Sequence, residues 1–153
     1  MLLYRLTHRK FAADVSGEGA KRLGGRWNPP GWPVHYTSTS ASLAVLEYLL
    51  HVDPEDLPPV VLVTYCLPDA LVSEILPAPL PRTWRSVPAP ARLAQIGRQW
   101  LESQSSLALR VPSVLFPDGP EYNVLVNPQH PASTEMTTLR SAPFTFDPRL
   151  FHK

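Results

Sequence analysis

The chain has 153 residues with 44% apolar content, the length of one domain and the composition of a globular protein, not a disordered one. Fourteen Lys and Arg stand against thirteen Asp and Glu, a formal net charge of +1. That balance, with no basic run and no acidic tail, excludes a direct nucleic-acid tract.

Leu2–Leu6 reads as a short strand, followed by a polar, glycine-marked segment from Thr7 to Arg26 that is too long for a simple turn. Val34–Thr37 is a second short strand. Ser40–Leu50 is the clearest helix, with Ser40 as its N-cap and Asp53-Pro54 stopping the pattern soon after. Val60–Cys66 is β-branched and reads as a buried strand, and Leu71–Leu76 as another. Pro77–Pro90 is proline-rich and irregular. Ala91–Ser103 is a second helix, entered through Pro88 and Pro90, with Leu93, Ile96, Trp100 and Leu101 as its apolar stripe. Leu107–Val111 and Val114–Phe116 flank Pro112-Ser113, and Pro117–Pro120 is a turn. Tyr122–Val126 is a late strand, and Pro143–Phe146 a last short one. Nineteen prolines, dispersed among seven glycines, act as rigid punctuation between short elements. No linker divides the chain, so residues 1–153 are expected to form a single domain. Its class is α+β or mixed α/β, not a doubly wound sheet.

Cys66 is the lone cysteine. It can form neither an internal disulfide nor a cysteine-based metal cluster, and is expected to be a small buried hydrophobe. Met1-Leu2-Leu3 runs straight into Tyr4-Arg5-Leu6 without an apolar targeting region. No apolar run approaches the ~18 residues of a membrane span. A reducing, cytoplasmic location is expected.

No P-loop, HExxH, paired CxxC or Gly-x-Ser-x-Gly is present. Gly17, Gly19, Gly24 and Gly25 have the wrong spacing for a dinucleotide fingerprint. The five histidines show no metal-ligand spacing. Glu47 is the anomaly: it is the only Asp, Glu, Lys or Arg between Arg26 and Asp53. At about 100° per residue, Leu43, Leu46, Glu47 and Leu50 share one helix face, so the carboxylate points along an apolar stripe. It needs a cation, hydrogen bonds or a pocket opening, and a structural ion pair satisfies that as well as a catalytic site does. Arg26, after Gly24-Gly25, offers a planar fork suited to phosphate, or a salt bridge to Glu47. Tyr36 can be a core aromatic and Ser113 an ordinary turn residue.

The ordered set of segments resembles the RES domain, the toxin half of a bacterial toxin–antitoxin family. It comprises Tyr4-Arg5-Leu6, Ser16–Ala20, Gly24-Gly25-Arg26-Trp27-Asn28, Pro33–Ser38, Leu43–Glu47, Leu109–Ser113, Tyr122–Pro128 and Phe146–Leu150. The Arg, Glu and Ser for which that family is named fall on Arg26, Glu47 and Ser113. The resemblance implies an ADP-ribosyltransferase-like fold with short strands around a central NAD cleft. It implies NAD consumption by hydrolysis or phosphorolysis, or ADP-ribose transfer to a protein. It also implies a helix-turn-helix (Xre-type) antitoxin that blocks the cleft, and it allows a homodimer within the toxin–antitoxin complex.

Nicotinamide leaves NAD as a neutral group and needs no general acid. The difficulty lies in the positive charge that builds on the ribose. A fixed, ionised carboxylate such as Glu47 stabilises that oxocarbenium-like transition state. In this scheme Arg26 clamps the pyrophosphate or the neighbouring ribose. Tyr36 packs on ribose or nicotinamide or donates its hydroxyl, and Ser113 orients one of them. Arg5 is a second phosphate contact. Ser113 is not a nucleophile, because no base is evident beside it, and no metal is required. The competing readings are a protein ADP-ribosyltransferase and a non-enzymatic interaction module in which Glu47 and Arg26 form a structural salt bridge.

Overall fold

Local signals define three helices and seven strands in a computed structural model, which describes residues 1–151. In chain order these are β1 (Leu2–His8), α1 (Glu18–Leu23), β2 (His35–Ser38), α2 (Ala41–Leu49), β3 (Val60–Cys66), β4 (Val72–Glu74), α3 (Ala91–Ser103), β5 (Ala108–Pro112), β6 (Tyr122–Val126) and β7 (Thr137–Phe144). The expected mixed α+β class holds. α2 starts where its cap requires: Ser40 Oγ accepts from the Leu43 amide at 3.0 Å, satisfying one of the helix's unpaired donors. α3 follows Pro90 and ends at Gln104, which takes a left-handed conformation (φ 49°).

Four expectations change. The segment Thr7–Arg26 is not wholly loop, because six residues after Gly17 form α1. Leu71–Leu76 contracts to the three residues of β4. The last strand is β7, an eight-residue element mostly exposed to solvent, and not Pro143–Phe146. Cys66 is half-buried at the end of β3 and not sealed in the core.

The strands form one sheet in the order β4-β5-β6-β2-β1-β3-β7. All neighbours are antiparallel except β4 and β5. The two central strands, β2 and β1, share a single paired position, Tyr4 with Ser38. The sheet therefore bends at this joint into two halves. One face of both halves turns inward: Leu3, Val61, Val63 and Tyr65 from β1 and β3 meet Ala108, Val124 and Val126 from β5 and β6. Strand alternation sends the other face outward. On the β5–β6–β2 half, Leu109, Val111 and Leu125 pack beneath α3 with Trp27, Trp84, Leu93, Trp100 and Leu101. On the other half, Leu6, Val60 and Phe146 pack with Val45, Tyr48 and Leu49 of α2. The joint thus lies between the areas covered by the two helices.

α3 sits unusually close to the chain beside it. A Cβ on Gly97 would fall 1.7 Å from the Trp27 carbonyl oxygen, so only glycine permits this approach. It fixes Trp27, and with it the backbone that carries Arg26. Among the described residues, no helix is long and apolar enough to cross a membrane.

Candidate active site

The joint between β1 and β2 has a polar lining. On β6, Asn123 lies opposite Ser38 of β2 and Val111 of β5. Its side chain joins two elements: Ser38 Oγ donates to Asn123 Oδ1 at 2.9 Å, and Asn123 Nδ2 donates to Glu47 Oε1 at 2.6 Å. Glu47 comes from α2 and is half-buried. The expected apolar stripe holds at Leu43, which is fully buried, and fails at Leu50, which is 61% exposed. Glu47 lies between them, where the helix leaves the sheet, so its carboxylate meets both protein and solvent. Asn123 holds one of its oxygens by a short, charge-assisted bond.

Arg26 approaches from the other side. Its Nη1 donates to the Trp84 carbonyl at 2.8 Å and to the Ser86 carbonyl at 3.2 Å. These neutral acceptors orient the guanidinium without cancelling its charge. Partial burial lowers its pKa, opposed by the charge of the Glu47 carboxylate nearby. Arg26 and Glu47 are thus close enough to act on each other electrostatically, yet their bonds go to different partners. The expected alternative of a direct salt bridge is not formed among the described residues. Arginine carries five N–H donors, and among the described residues only Nη1 of Arg26 is engaged.

Tyr36 supports the arginine loop. Its hydroxyl donates to Asn28 Oδ1 at 2.7 Å and accepts from the Trp27 amide at 3.1 Å. Burial of that hydroxyl pushes its pKa well above the usual phenol range, opposed by the bond from Trp27 and by the charge of Arg26. The Asn28 amide nitrogen in turn donates to the carbonyls of Ala20, Pro29 and Trp32. Gly25 leaves room for this knot: a Cβ there would lie 2.7 Å from the Tyr36 hydroxyl and 2.9 Å from Asn28 Oδ1.

The structure does not bring all the expected residues together. Arg26, Glu47 and Tyr36 share one neighbourhood. Ser113 follows β5, two positions past Val111, and is fully buried. Its Oγ accepts from the Leu115 amide at 3.1 Å, which turns the chain away from the sheet. Arg5 lies elsewhere: on β1 it alternates to the inward face. There its Nη1 donates to the Asp14 carbonyl at 2.8 Å and meets His35 Nδ1 at 3.2 Å. Arginine can only donate, so His35 Nδ1 accepts and Nε2 carries the hydrogen. Burial, with Arg5 beside it, lowers the His35 pKa to about 3.

Sequence reasoning missed Asn123 and Ser38. Asn123 gave a signal, being a polar residue within an apolar strand and therefore the same kind of anomaly as Glu47. It also missed the carbonyls of Trp84 and Ser86, which no side-chain pattern reveals. Two grooves lie away from Glu47. One, of about 310 Å³, is bordered by Asp69, Glu74 and Arg110. The other, of about 410 Å³, is bordered by Leu57, Phe144, Phe146 and Phe151.

A carboxylate held by Asn123 and an arginine held by backbone carbonyls, near enough to act on each other, define a small α+β protein with a charged pair suited to a charged ligand. The RES domain matches residues 2–147, and the chain belongs to that family. A protein named "Toxin Res" from Yersinia enterocolitica is 42% identical over 98% of this chain and 99% of its own length. A protein named "Prs ADP-ribosylating toxin" from Sphingobium sp. is 37% identical over 93% of this chain and 89% of its own. A chain from the crystal structure of the M. tuberculosis MbcT–MbcA toxin–antitoxin complex shares the fold with a TM-score of 0.69 at 23% identity. That match covers 97% of this chain and 85% of the other.

Proposed function

We propose that this protein is the toxin of a bacterial toxin–antitoxin pair, and that it cleaves the nicotinamide–ribose bond of NAD at Glu47. The observation that carries the reading is the unpaired opposition of Glu47 and Arg26. Asn123 fixes one oxygen of the carboxylate, two carbonyls fix the guanidinium, and the charges remain available to a ligand between them. As nicotinamide departs with the bonding electron pair, positive charge grows on the ribose, and an oriented carboxylate stabilises it without having to reorganise. The free N–H groups of Arg26 present a fork to phosphate oxygens. Tyr36 acts by holding the arginine loop, because its hydroxyl is already engaged. Ser113 shapes the wall beyond β5. Arg5 has no part in binding phosphate in this scheme, and no step calls for a metal.

The purified protein, free of any antitoxin, is expected to release nicotinamide from NAD. Glu47→Gln is expected to lower the rate at least about 100-fold, the scale on which removal of one electrostatic stabiliser acts, with the circular dichroism spectrum unchanged. Wild-type rates in that variant would refute the assignment. Assays with and without inorganic phosphate separate phosphorolysis from hydrolysis. Transfer of ADP-ribose to a protein is the second reading, favoured by the name of the Sphingobium relative. Labelled NAD in cell extract distinguishes it by a labelled protein band. A helix-turn-helix antitoxin that covers the Glu47–Arg26 opening is the expected partner, and its addition should stop nicotinamide release.

A further inference from the structure

The carbonyls that hold Arg26 belong to a loop with an unusual charge pattern. From Ile75 to Leu101 the sequence contains four arginines, Arg82, Arg85, Arg92 and Arg98, and no Asp or Glu. In a chain of net charge +1, this is a local concentration of positive charge. Arg98 is paired with Glu102 at 2.8 Å. Arg82 and Arg85 are exposed and form no salt bridge among the described residues.

The backbone of this loop is fixed. The Trp84 amide donates to the Pro81 carbonyl and the Ser86 amide to the Thr83 carbonyl, both at 2.8 Å. Leu80 and Trp84 anchor it in the core beneath α3. Arg85 lies between the two residues whose carbonyls bind Arg26, so an exposed cationic residue is held on the backbone that orients the first. Glu47 and Arg26 together carry no net charge, whereas the diphosphate of a dinucleotide carries two negative charges. A neutral pair does not balance that dianion. Arg85 and Arg82 are the exposed cations of the loop whose carbonyls hold Arg26.

We propose that Arg85, with Arg82 beside it, completes the binding site for the diphosphate of a dinucleotide whose reacting ribose lies at Glu47. The proposal rests on the NAD-cleaving reading above and adds to it the residues that set affinity for the substrate's charged half. Arg85 is a binding residue here and takes no part in bond cleavage.

The test uses the full chain, comparing wild type with Arg85→Ala, Arg85→Lys and the double variant Arg82→Ala/Arg85→Ala. The readouts are nicotinamide release from NAD and inhibition by ADP-ribose and by nicotinamide. In the double variant, KM for NAD and Ki for ADP-ribose should rise about tenfold or more, the scale of a lost charge-assisted contact. The loss should fall on KM and not on kcat, and Ki for nicotinamide, which carries no phosphate, should stay unchanged. Arg85→Lys should recover part of the affinity lost in Arg85→Ala, because it keeps the charge but not the planar fork. Raising salt from roughly 50 to 300 mM should increase KM less in the double variant than in wild type, since less charge remains to be screened. A wild type that cleaves NAD while the double variant keeps KM and Ki within twofold overturns this proposal and leaves the NAD reading standing. A fall in kcat with KM unchanged also overturns it, because it marks a structural role. A wild type that neither cleaves NAD nor binds ADP-ribose overturns the NAD reading and this proposal with it.

Discussion

Asn123→Ala isolates the bond that orients the proposed catalytic carboxylate. The substitution removes the 2.6 Å contact to Glu47 Oε1 and also the acceptor of Ser38 Oγ. Hydrogen bonds to charged groups contribute roughly 1.5–3 kcal/mol, and the short distance favours the upper part of that range. Glu47 is half-buried, so water can replace the lost donor, and the stability cost should be about 1 kcal/mol. For a chain of this size that is a fall in Tm of roughly 2–4 °C. Activity should suffer more, because water does not restore a fixed orientation. If the whole of the bond's contribution is realised in the transition state, kcat/KM for nicotinamide release falls about 10- to 150-fold. Ser38→Ala should cost less, since it leaves the Asn123–Glu47 bond in place, and the double variant should be little worse than Asn123→Ala alone. The assay is steady-state nicotinamide release on folded protein, with Tm measured in parallel. A kcat/KM within twofold of wild type in Asn123→Ala would refute the claim that this bond pre-orients Glu47.

Two further outcomes follow from the packing around Arg26 and His35. Gly25→Ala places a methyl group 2.7 Å from the Tyr36 hydroxyl, so the bond from Tyr36 to Asn28 must stretch or break. A destabilisation of about 1–3 kcal/mol is expected, read as a lowered midpoint in urea, together with a raised KM for NAD as the Arg26 loop loosens. An unchanged midpoint would show that the knot yields without cost. His35 is buried neutral with its pKa lowered to about 3, against about 6.5 for the unfolded chain. The unfolded state therefore binds the extra proton first. The stability that depends on neutral His35 is fully present above pH 6.5 and is lost as pH falls toward 3, at about 1.4 kcal/mol per unit. Between pH 6.5 and 5 the loss should be about 2 kcal/mol. His35→Gln should flatten this part of a denaturation-versus-pH profile, and an equal slope in both proteins would contradict the assignment.

What could be read in advance divides by whether the signal was local. α2 and α3 were legible because a serine cap, proline flanks and helical spacing all lie within a few residues of the elements they specify. β3 was legible because its β-branched run is continuous. α1 was hidden: its six residues between Gly17 and Gly24 include no fully buried one, and only Ala20 packs against the core, so there is no apolar stripe. β7 was hidden for the opposite reason. It is an edge strand, paired only with β3, and its exposed Thr, Arg and Ser residues show no alternation for a sequence reading to detect. At the site, charge isolation singled out Glu47, but its partner lies 76 residues away and no periodicity connects them. The anchoring of Arg26 was illegible in kind, because its acceptors are backbone carbonyls that any residue supplies. The partners of Arg5, Asp14 and His35, were equally illegible, because a residue number does not say which face of a strand its side chain takes and the pairing of β1 with its neighbours decides that.

The 76-residue gap between Glu47 and Asn123 also has a meaning in time. During synthesis at roughly 5–20 residues per second, Glu47 precedes its partner by about 4–15 s. Until β6 has been added, α2 carries a carboxylate with nothing to aim it, and a chain cut short before residue 123 never acquires one. The oriented carboxylate is thus a property of a chain that already includes β6, and a shorter one lacks it. The surfaces formed by the first half of the chain are therefore made before the carboxylate acquires its partner.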